Sequence, residues 1–354
     1  MSRDSRQGVR IGAAVGPERS VGIDALAVGR GRARTVASEP TRREFLRITG
    51  LAAAALAVPG AAEVAGGQVS GRRSSLGGDA LPRPSQFDPP IGVCTSPGNA
   101  KLLKRCGVDY VEVVARWFLM PDKPNARFAP NLAVARKCIL PIRSANGFLP
   151  RALRCTGPAA NHEAVLRYAA TAFARARQVG IDVIVFGSGA ARTPPEGFPL
   201  RKAEAQFTAL LRRMGPLAEP HGVTVVLEPL RKRETPFIRT VAHGARIVRA
   251  VNHPNIRLLA DCFHMACENE PPEHIRHVGD LLHHVHIAQK DRTPPAAGGD
   301  DLAPYLSALR DIGYRGRISM ECRWKDMAAQ LPGAVAALRT KIGLVAGAAG
   351  RRTP

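Results

Sequence analysis

The sequence predicts a (β/α)₈ TIM barrel between residues 89 and 345. Strand-like apolar runs alternate eight times with stretches of helical periodicity. The span supplies the roughly 250 residues that such a barrel needs. The last four apolar runs each end on an acidic or imidazole side chain, and parallel strands of a barrel present their C-terminal ends at one mouth. The pattern therefore predicts one α/β catalytic domain with one polar site.

Eight strands are predicted where β-branched and apolar residues cluster between turn residues. They cover residues 91–94, 110–114, 139–142, 182–186, 223–228, 256–261, 281–286 and 317–321. The helices between them follow the 3.6-residue period. They cover residues 100–106, 131–137, 162–179, 202–219, 240–251, 272–278, 302–312 and 327–342.

The segments that flank the barrel have no such alternation. Residues 1–40 are rich in Gly, Arg and Ala and are expected to form a disordered extension, or to reflect an overlong start assignment. Residues 63–88, rich in Gly, Ser, Arg and Pro, predict a flexible linker, and residues 346–354 a disordered tail. Neither the linker nor the termini are expected to carry chemistry.

Residues 41–62 resemble a twin-arginine export signal. Residues 41–47 read Thr-Arg-Arg-Glu-Phe-Leu-Arg, which departs from the Ser/Thr-Arg-Arg-x-Phe-Leu-Lys pattern only at Arg47, and a weakly apolar stretch follows. The resemblance implies a partner, the twin-arginine export machinery, and a periplasmic or extracellular destination. The apolar stretch is too short to span a bilayer, so no permanent membrane anchor is expected. The alternative is an amphipathic helix or a disordered basic tail.

The composition is that of a globular enzyme, with 45% hydrophobic and 23% charged residues. The formal net charge of +22 raises the question of nucleic-acid binding. The basic residues are scattered rather than arranged in one stripe, and only 5% of residues are aromatic. No nucleic-acid partner is therefore expected. The sequence leaves the oligomeric state open, a homo-oligomer included.

The four polar strand ends are Glu228, Asp261, His286 and Glu321. One carboxylate at a strand end is often only a helix cap or an ion-pair partner. Four at the same end of adjacent strands, each about one βα repeat after the last, predict a shared site for one divalent metal ion. Three carboxylates and one imidazole suit Mn²⁺ best, with Mg²⁺, Co²⁺ or Zn²⁺ as alternatives.

Three segments around these residues resemble a known family. Residues 227–235 read Leu-Glu-Pro-Leu-Arg-Lys-Arg-Glu-Thr and are similar to a Glu-Pro-Leu-Asn-Arg-aromatic-Glu-Thr motif. Residues 260–265 read Ala-Asp-Cys-Phe-His-Met and are similar to Asp-Thr-Phe-His-Met, and His286 has Arg292 six positions later. The chain thus resembles the sugar isomerase/epimerase family with the xylose isomerase-like TIM barrel, especially ketose 3-epimerases of the D-tagatose 3-epimerase type.

The resemblance implies a role for each strand-end residue. Glu228 and Glu321 would be both metal ligands and the acid/base pair, whereas Asp261 and His286 would be ligands only. A metal ion stabilises an enediolate formed by deprotonation beside a carbonyl, and a glutamate on each face can remove or return the proton. The implied reaction is isomerisation or epimerisation of a small sugar substrate, a ketose or a keto-sugar derivative.

The same resemblance implies that Glu234, His264 and Arg292 contact substrate oxygens. Each has a plainer alternative: Glu234 can pair with Arg231 or Arg233, and His264 can be a hydrogen-bonded core histidine. Residues 231–233 replace the family's Asn-Arg-aromatic run with three basic residues. The substrate is therefore expected to differ from a simple free ketose.

Weaker candidates follow the earlier strands. They are Glu112, Trp117, Asn146, Phe148 and residues 187–189. Each could shape a sugar pocket, but turn formation or core packing is an equal alternative.

Two other enzyme classes use the same barrel or the same metal chemistry. A lyase that dehydrates a keto-sugar or an inosose would need the same ligands. An endonuclease IV-like DNA-repair enzyme needs three zinc ions and histidines on early strands, whereas the first histidine of this chain is His162. The nuclease is therefore disfavoured.

Overall fold

The computed structural model describes residues 87–296 and 298–349. The predicted extension (1–40), export segment (41–62) and most of the linker therefore lie outside the described residues. Eight parallel strands close into a barrel in chain order, with the last strand beside the first, which confirms the predicted fold. The strands are β1 Ile91–Cys94, β2 Tyr110–Val114, β3 Ile142–Asn146, β4 Val183–Phe186, β5 Thr224–Leu227, β6 Ile256–Asp261, β7 Leu282–Ile287 and β8 Arg317–Met320.

Helices connect the strands and cover the outside of the barrel. They are α1 Ala100–Arg105, α2 Ala115–Phe118, α3 Asn125–Lys137, α4 His162–Val179, α5 Gly189–Arg192, α6 Leu200–Ala218, α7 Val241–Val251, α8 Cys262–Cys267, α9 Glu273–His277, α10 Ala303–Asp311 and α11 Met327–Ala349. Helix α4 has the bounds that its sequence predicts. Asn161 caps its first turn, and Gly180 ends it at a φ of 81°.

The strands pack on two sides because successive side chains point to opposite faces. Ile184 and Phe186 of β4 belong to the large apolar layer between the barrel and its helices. Val183 and Val185 of the same strand join Val226 and Leu259 in a small separate cluster. We infer that this cluster fills the inside of the barrel, below the site described next.

The predicted position of one strand is wrong. The sequence predicts β3 over residues 139–142, whereas the strand is Ile142–Asn146. Ile139 is 48% exposed, and Pro141 precedes the strand. The true strand contains Ser144 and Asn146, which are buried but polar, so its sequence lacks the apolar pattern that marks the other strands.

Two helices are longer than predicted. Helix α3 begins at Asn125 rather than at 131 and contains Pro130, which sequence reasoning treats as a helix breaker. Helix α11 runs to Ala349, past the predicted domain end at 345, because Val345 is buried against the core. Across the described residues, no helix is both long and apolar enough to cross a membrane.

Candidate metal centre

The four predicted ligands lie together at the C-terminal mouth of the barrel. Glu228 and Glu321 each follow directly after their strands, Asp261 ends β6, and His286 lies opposite it on β7. One ligand atom from each of the four lies within 4.8 Å of the others. Glu228, Asp261 and His286 are buried and Glu321 is partly exposed. Neighbouring parallel strands therefore bring the four side chains to one point.

The ring of His286 is oriented by carboxylates on both sides. Its Nε2 lies 2.9 Å from Glu112 Oε1, and its Nδ1 lies 3.2 Å from both Glu228 Oε1 and Glu321 Oε2. Ionised carboxylates only accept hydrogen bonds, so a proton or a metal ion must lie between Nδ1 and these oxygens. Burial alone would lower the pKa of His286, but Glu112 and Glu321 raise it well above its ordinary value. The position therefore favours a cation.

The two oxygens of Asp261 have different contacts. Its Oδ1 accepts the backbone N–H groups of Phe263 at 2.8 Å and His264 at 3.3 Å, which caps α8. Its Oδ2 is buried and accepts no hydrogen bond in the part of the chain that the structure describes, although Arg292 NH1 lies 3.4 Å away and His264 Nε2 3.6 Å away. A buried carboxylate oxygen without a hydrogen bond is costly. The residues present therefore fit a divalent cation, as the donor set also predicts.

The two glutamates have opposite electrostatic surroundings. Burial raises the pKa of Glu228 above its ordinary value, although the hydrogen bond to His286 opposes this shift. Burial would also raise the pKa of Glu321, but Arg292 and His286 hold it well below its ordinary value. Arg292 donates to Glu321 Oε2 at 2.5 Å. Before any cation binds, Glu228 is therefore easier to protonate than Glu321.

Glu112 supports the centre from inside the barrel. Its side chain is fully buried and accepts hydrogen bonds from His284 Nε2 at 2.9 Å and from the hydroxyls of Ser144 and Ser319 at 2.6 Å each. Burial would raise the pKa of Glu112, but His286 and His284 hold it well below its ordinary value. A carboxylate that holds the far nitrogen of a ligand histidine fixes its tautomer and raises its basicity.

Sequence reasoning named Glu112 only as a weaker pocket candidate. The available signal was an acidic residue at the centre of an otherwise apolar strand, in the run Tyr-Val-Glu-Val-Val of residues 110–114. Such a residue must find buried partners. Those partners come from the neighbouring strand β3 and from the distant strands β7 and β8, so the sequence alone could not identify them.

Glu112→Gln should weaken metal binding by ~10–100-fold, the range typical of outer-shell partners of metal ligands. The substitution keeps the shape of the side chain but removes the charge that supports His286. Metal affinity would be measured by competition with a chromogenic chelator. Glu163→Gln is the control, because Glu163 is exposed and pairs only with Arg213 on the barrel surface. Wild-type affinity in Glu112→Gln would contradict the supporting role.

The three predicted substrate contacts differ in their surroundings. Arg292 and His264 lie beside the ligands: Arg292 contacts Nε2 of His264 at 2.8 Å, and its guanidinium lies 3.4 Å from Asp261 Oδ2. Glu234 pairs with Arg231 at 3.0 Å, one of the alternatives that the sequence allows. The structure therefore shows Glu234 in an ion pair.

The weaker candidates divide between site and core. Asn146 donates to Glu321 Oε1 at 3.0 Å and thus belongs to the site. Phe148 is fully buried and packs at 5.5 Å between ring centroids against Phe186, so it belongs to the core. Trp117 lines an apolar cavity of about 540 Å³ between α1 and α3. Gly187 lies so close to Glu228 Oε2 that no Cβ would fit there.

Comparison with known proteins places these observations in a family. The model of the xylose isomerase-like TIM barrel family matches residues 100–341. L-ribulose 3-epimerase from Methylomonas sp. (strain DH-1) is 33% identical over 122 residues, which cover 34% of this chain and 43% of that protein. 3-Dehydro-D-guloside 4-epimerase from Escherichia coli (strain K12) is 32% identical over 133 residues, 37% of this chain and 51% of that protein.

Solved structures show the same fold over more of the chain. The structure of D-allulose 3-epimerase from Methylomonas sp. in complex with D-allulose has a TM-score of 0.61 and 22% identity, and covers 72% of this chain and 99% of that one. By sequence, the chain spans only about half or less of the two curated relatives. The fold is therefore similar over the whole barrel, whereas the sequence is similar over only part of it.

Proposed function

Because this chain belongs to the xylose isomerase-like TIM barrel family, we propose that it is a metal-dependent sugar isomerase or epimerase. Its substrate would be a ketose or keto-sugar derivative, and the reaction would pass through an enediolate. One observation carries the proposal: Glu228 Oε1 and Glu321 Oε2 both lie 3.2 Å from the same nitrogen of His286. Two carboxylates that flank one point can exchange protons with opposite faces of one substrate carbon.

The proposed ligands of the metal ion are Glu228, Asp261, His286 and Glu321. Mn²⁺ is the preferred ion, with Mg²⁺, Co²⁺ or Zn²⁺ as alternatives, because the donors are mostly carboxylate oxygens. When bound, a divalent ion supplies Lewis-acid stabilisation of negative charge on the substrate oxygens.

The chain's own residues would move the proton. Arg292 and His286 keep Glu321 ionised, which is the form that can accept a proton. Burial raises the pKa of Glu228, so Glu228 holds a proton more readily than Glu321 and would deliver it to the opposite face. Arg292 and His264 lie beside the ligands and would hold substrate oxygens. The two glutamates would exchange roles in the reverse direction.

The experiment that tests this function is proton exchange in D₂O. Mg²⁺-loaded protein would be incubated with a panel of ketoses, keto-glycosides and inososes, and the products followed by NMR. Deuterium at the carbon next to the carbonyl, with inversion or isomerisation and without loss of water, is the expected result. Loss of water would instead identify the lyase, and no exchange with any sugar by metal-loaded protein would contradict the proposal.

A nuclease is a poorer fit to the same residues. Within 87–296 and 298–349, two groups of three or more His, Cys, Asp or Glu side chains are placed to hold an ion, and both include His286. The second group adds only Cys94 and Glu112. A site with three zinc ions would need further ligands, and one ion per chain is therefore proposed.

We also propose export by the twin-arginine route, on the sequence of residues 41–62, which lie outside the described part of the structure. Replacing both Arg42 and Arg43 with Lys should retain the precursor in the cytoplasm, because an ammonium group does not reproduce paired guanidinium recognition. Cell fractionation with immunoblotting would measure this. Lysine at Arg47, the pattern's own residue, is the control and should leave export intact. Normal export of the double variant would refute the proposal.

A further inference from the structure

Arg192, at the end of α5, is the largest side chain without solvent exposure in the described part of the chain. Its NH1 donates to the backbone carbonyl of Glu228 at 2.7 Å and to that of Phe186 at 3.2 Å. Its NH2 donates to the carbonyl of Ile238 at 3.3 Å. One guanidinium thus joins the ends of β4 and β5 to the loop that carries Glu234.

Burying the charged guanidinium of Arg192 away from water costs free energy, and contacts with the protein must offset that cost. Burial lowers the pKa of Arg192 to about 10, which leaves the side chain charged at neutral pH. Its three acceptors are neutral carbonyl oxygens, and its Nε has no hydrogen-bond partner within the described residues. Apolar packing alone would not require an arginine here.

The Glu228 carboxylate packs against the end of β4, which Arg192 binds through the carbonyl of Phe186. Gly187 follows β4 directly, and a Cβ added to it would overlap Glu228 Oε2 and would displace the carboxylate. The carbonyl of Phe186, which accepts from Arg192, also accepts the backbone N–H of Glu228 at 3.3 Å. A shift between the ends of β4 and β5 would therefore move the carboxylate.

The third acceptor lies in a strained segment. Ile238 has a φ of 61°, which is rare for a β-branched residue and costs free energy. Its carbonyl also accepts the backbone N–H of Leu230 at 3.1 Å, which closes the loop from residue 230 to residue 238. Arg192 therefore binds the C-terminal end of the loop that begins just after Glu228.

We propose that Arg192 is a positioning residue for Glu228: it holds three main-chain oxygens and thereby fixes the Glu228 carboxylate toward the metal centre. Its effect on turnover rests on the proposed function, whereas its effect on metal affinity does not. A misplacement of about 1 Å in a catalytic group can cost ~10²-fold in rate. A loss of that size in kcat is therefore expected when Arg192 is replaced.

The chain offers a matched control in Arg175 of α4. It is also buried, at 3% exposure, and also binds main-chain oxygens, those of Leu119 at 2.9 Å and Lys123 at 2.7 Å. It contacts none of the four ligands. A buried guanidinium with a purely structural role should behave like Arg175.

The experiment compares Arg192→Lys and Arg192→Met with Arg175→Lys and Arg175→Met in the full chain. Thermal unfolding, Mn²⁺ affinity, kcat and KM would be measured for each, and Arg192→Lys would also be made in the Glu228→Gln background. The variants at both positions should unfold at a lower temperature than the wild-type protein. Only the Arg192 variants should lose Mn²⁺ affinity, by ~10-fold or more, and kcat by ~10²-fold. In the Glu228→Gln background, Arg192→Lys should add little further loss.

Two outcomes would overturn the positioning role. One is a kcat and Mn²⁺ affinity in Arg192→Lys equal to those of Arg175→Lys at similar stability. The other is a loss of kcat and Mn²⁺ affinity from Arg192→Lys that is as large in the Glu228→Gln background as in the wild-type protein. Arg192→Lys keeps the charge, so it tests the role even where Arg192→Met does not fold. If the wild-type protein exchanges protons with no sugar, the proposed function fails while the Mn²⁺ affinities still test the role of Arg192.

Discussion

Glu228→Gln and Glu321→Gln should each lower turnover by ~10²–10⁴-fold, the contribution typical of general acid–base catalysis. Glutamine keeps an oxygen near the metal position but cannot accept a proton. Each variant should therefore lose much more turnover than metal, once occupancy is measured and corrected for. Because one glutamate is assigned to each face, we expect one variant to exchange the proton of one epimer with solvent and fail to complete the inversion.

Glu270→Gln is the matched control for both variants. Glu270 is also a buried glutamate, at 4% exposure, but it caps α7 through the backbone N–H of Val241 and takes no part in the metal centre. Its loss should lower stability and leave kcat near the wild-type value. Near-wild-type turnover in a metal-loaded Glu228→Gln or Glu321→Gln variant would show that the acid/base assignment is wrong.

Asp261→Asn should lower metal affinity by more than the ~10–100-fold expected for outer-shell partners. The amide replaces a ligand charge with a neutral group. Because Asn is as good an N-cap as Asp, α8 should keep its cap and the protein its fold. Isothermal titration with Mn²⁺ would measure the affinity, and circular dichroism the fold. Unchanged affinity would remove Asp261 from the ligand set.

The sequence predicts the fold and the four strand-end residues because both depend on local patterns. Apolar strand runs and helical periodicity are short-range signals, and a polar residue at the end of an apolar run is conspicuous. Parallel strands of a barrel then determine that Glu228, Asp261, His286 and Glu321 meet. Seven of the eight strands lie where these signals predict them, within one or two residues.

The features that the sequence could not predict depend on contacts between residues on different strands. Strand β3 was misplaced because Ser144 and Asn146 face Glu112 and Glu321 rather than an apolar layer. The role of Arg192 requires the ends of β4 and β5 to be known. In each case a polar residue breaks the local pattern, and its partner lies far away in the chain.

The central claim is that the four strand-end residues bind one divalent ion. The most direct test is anomalous diffraction from crystals of the Mn²⁺-loaded protein, recorded at the manganese edge. We expect one anomalous peak per barrel, bounded by Glu228, Asp261, His286 Nδ1 and Glu321. A peak at Cys94 and Glu112 on the opposite side of the His286 ring, or no peak at the barrel mouth, would contradict the account.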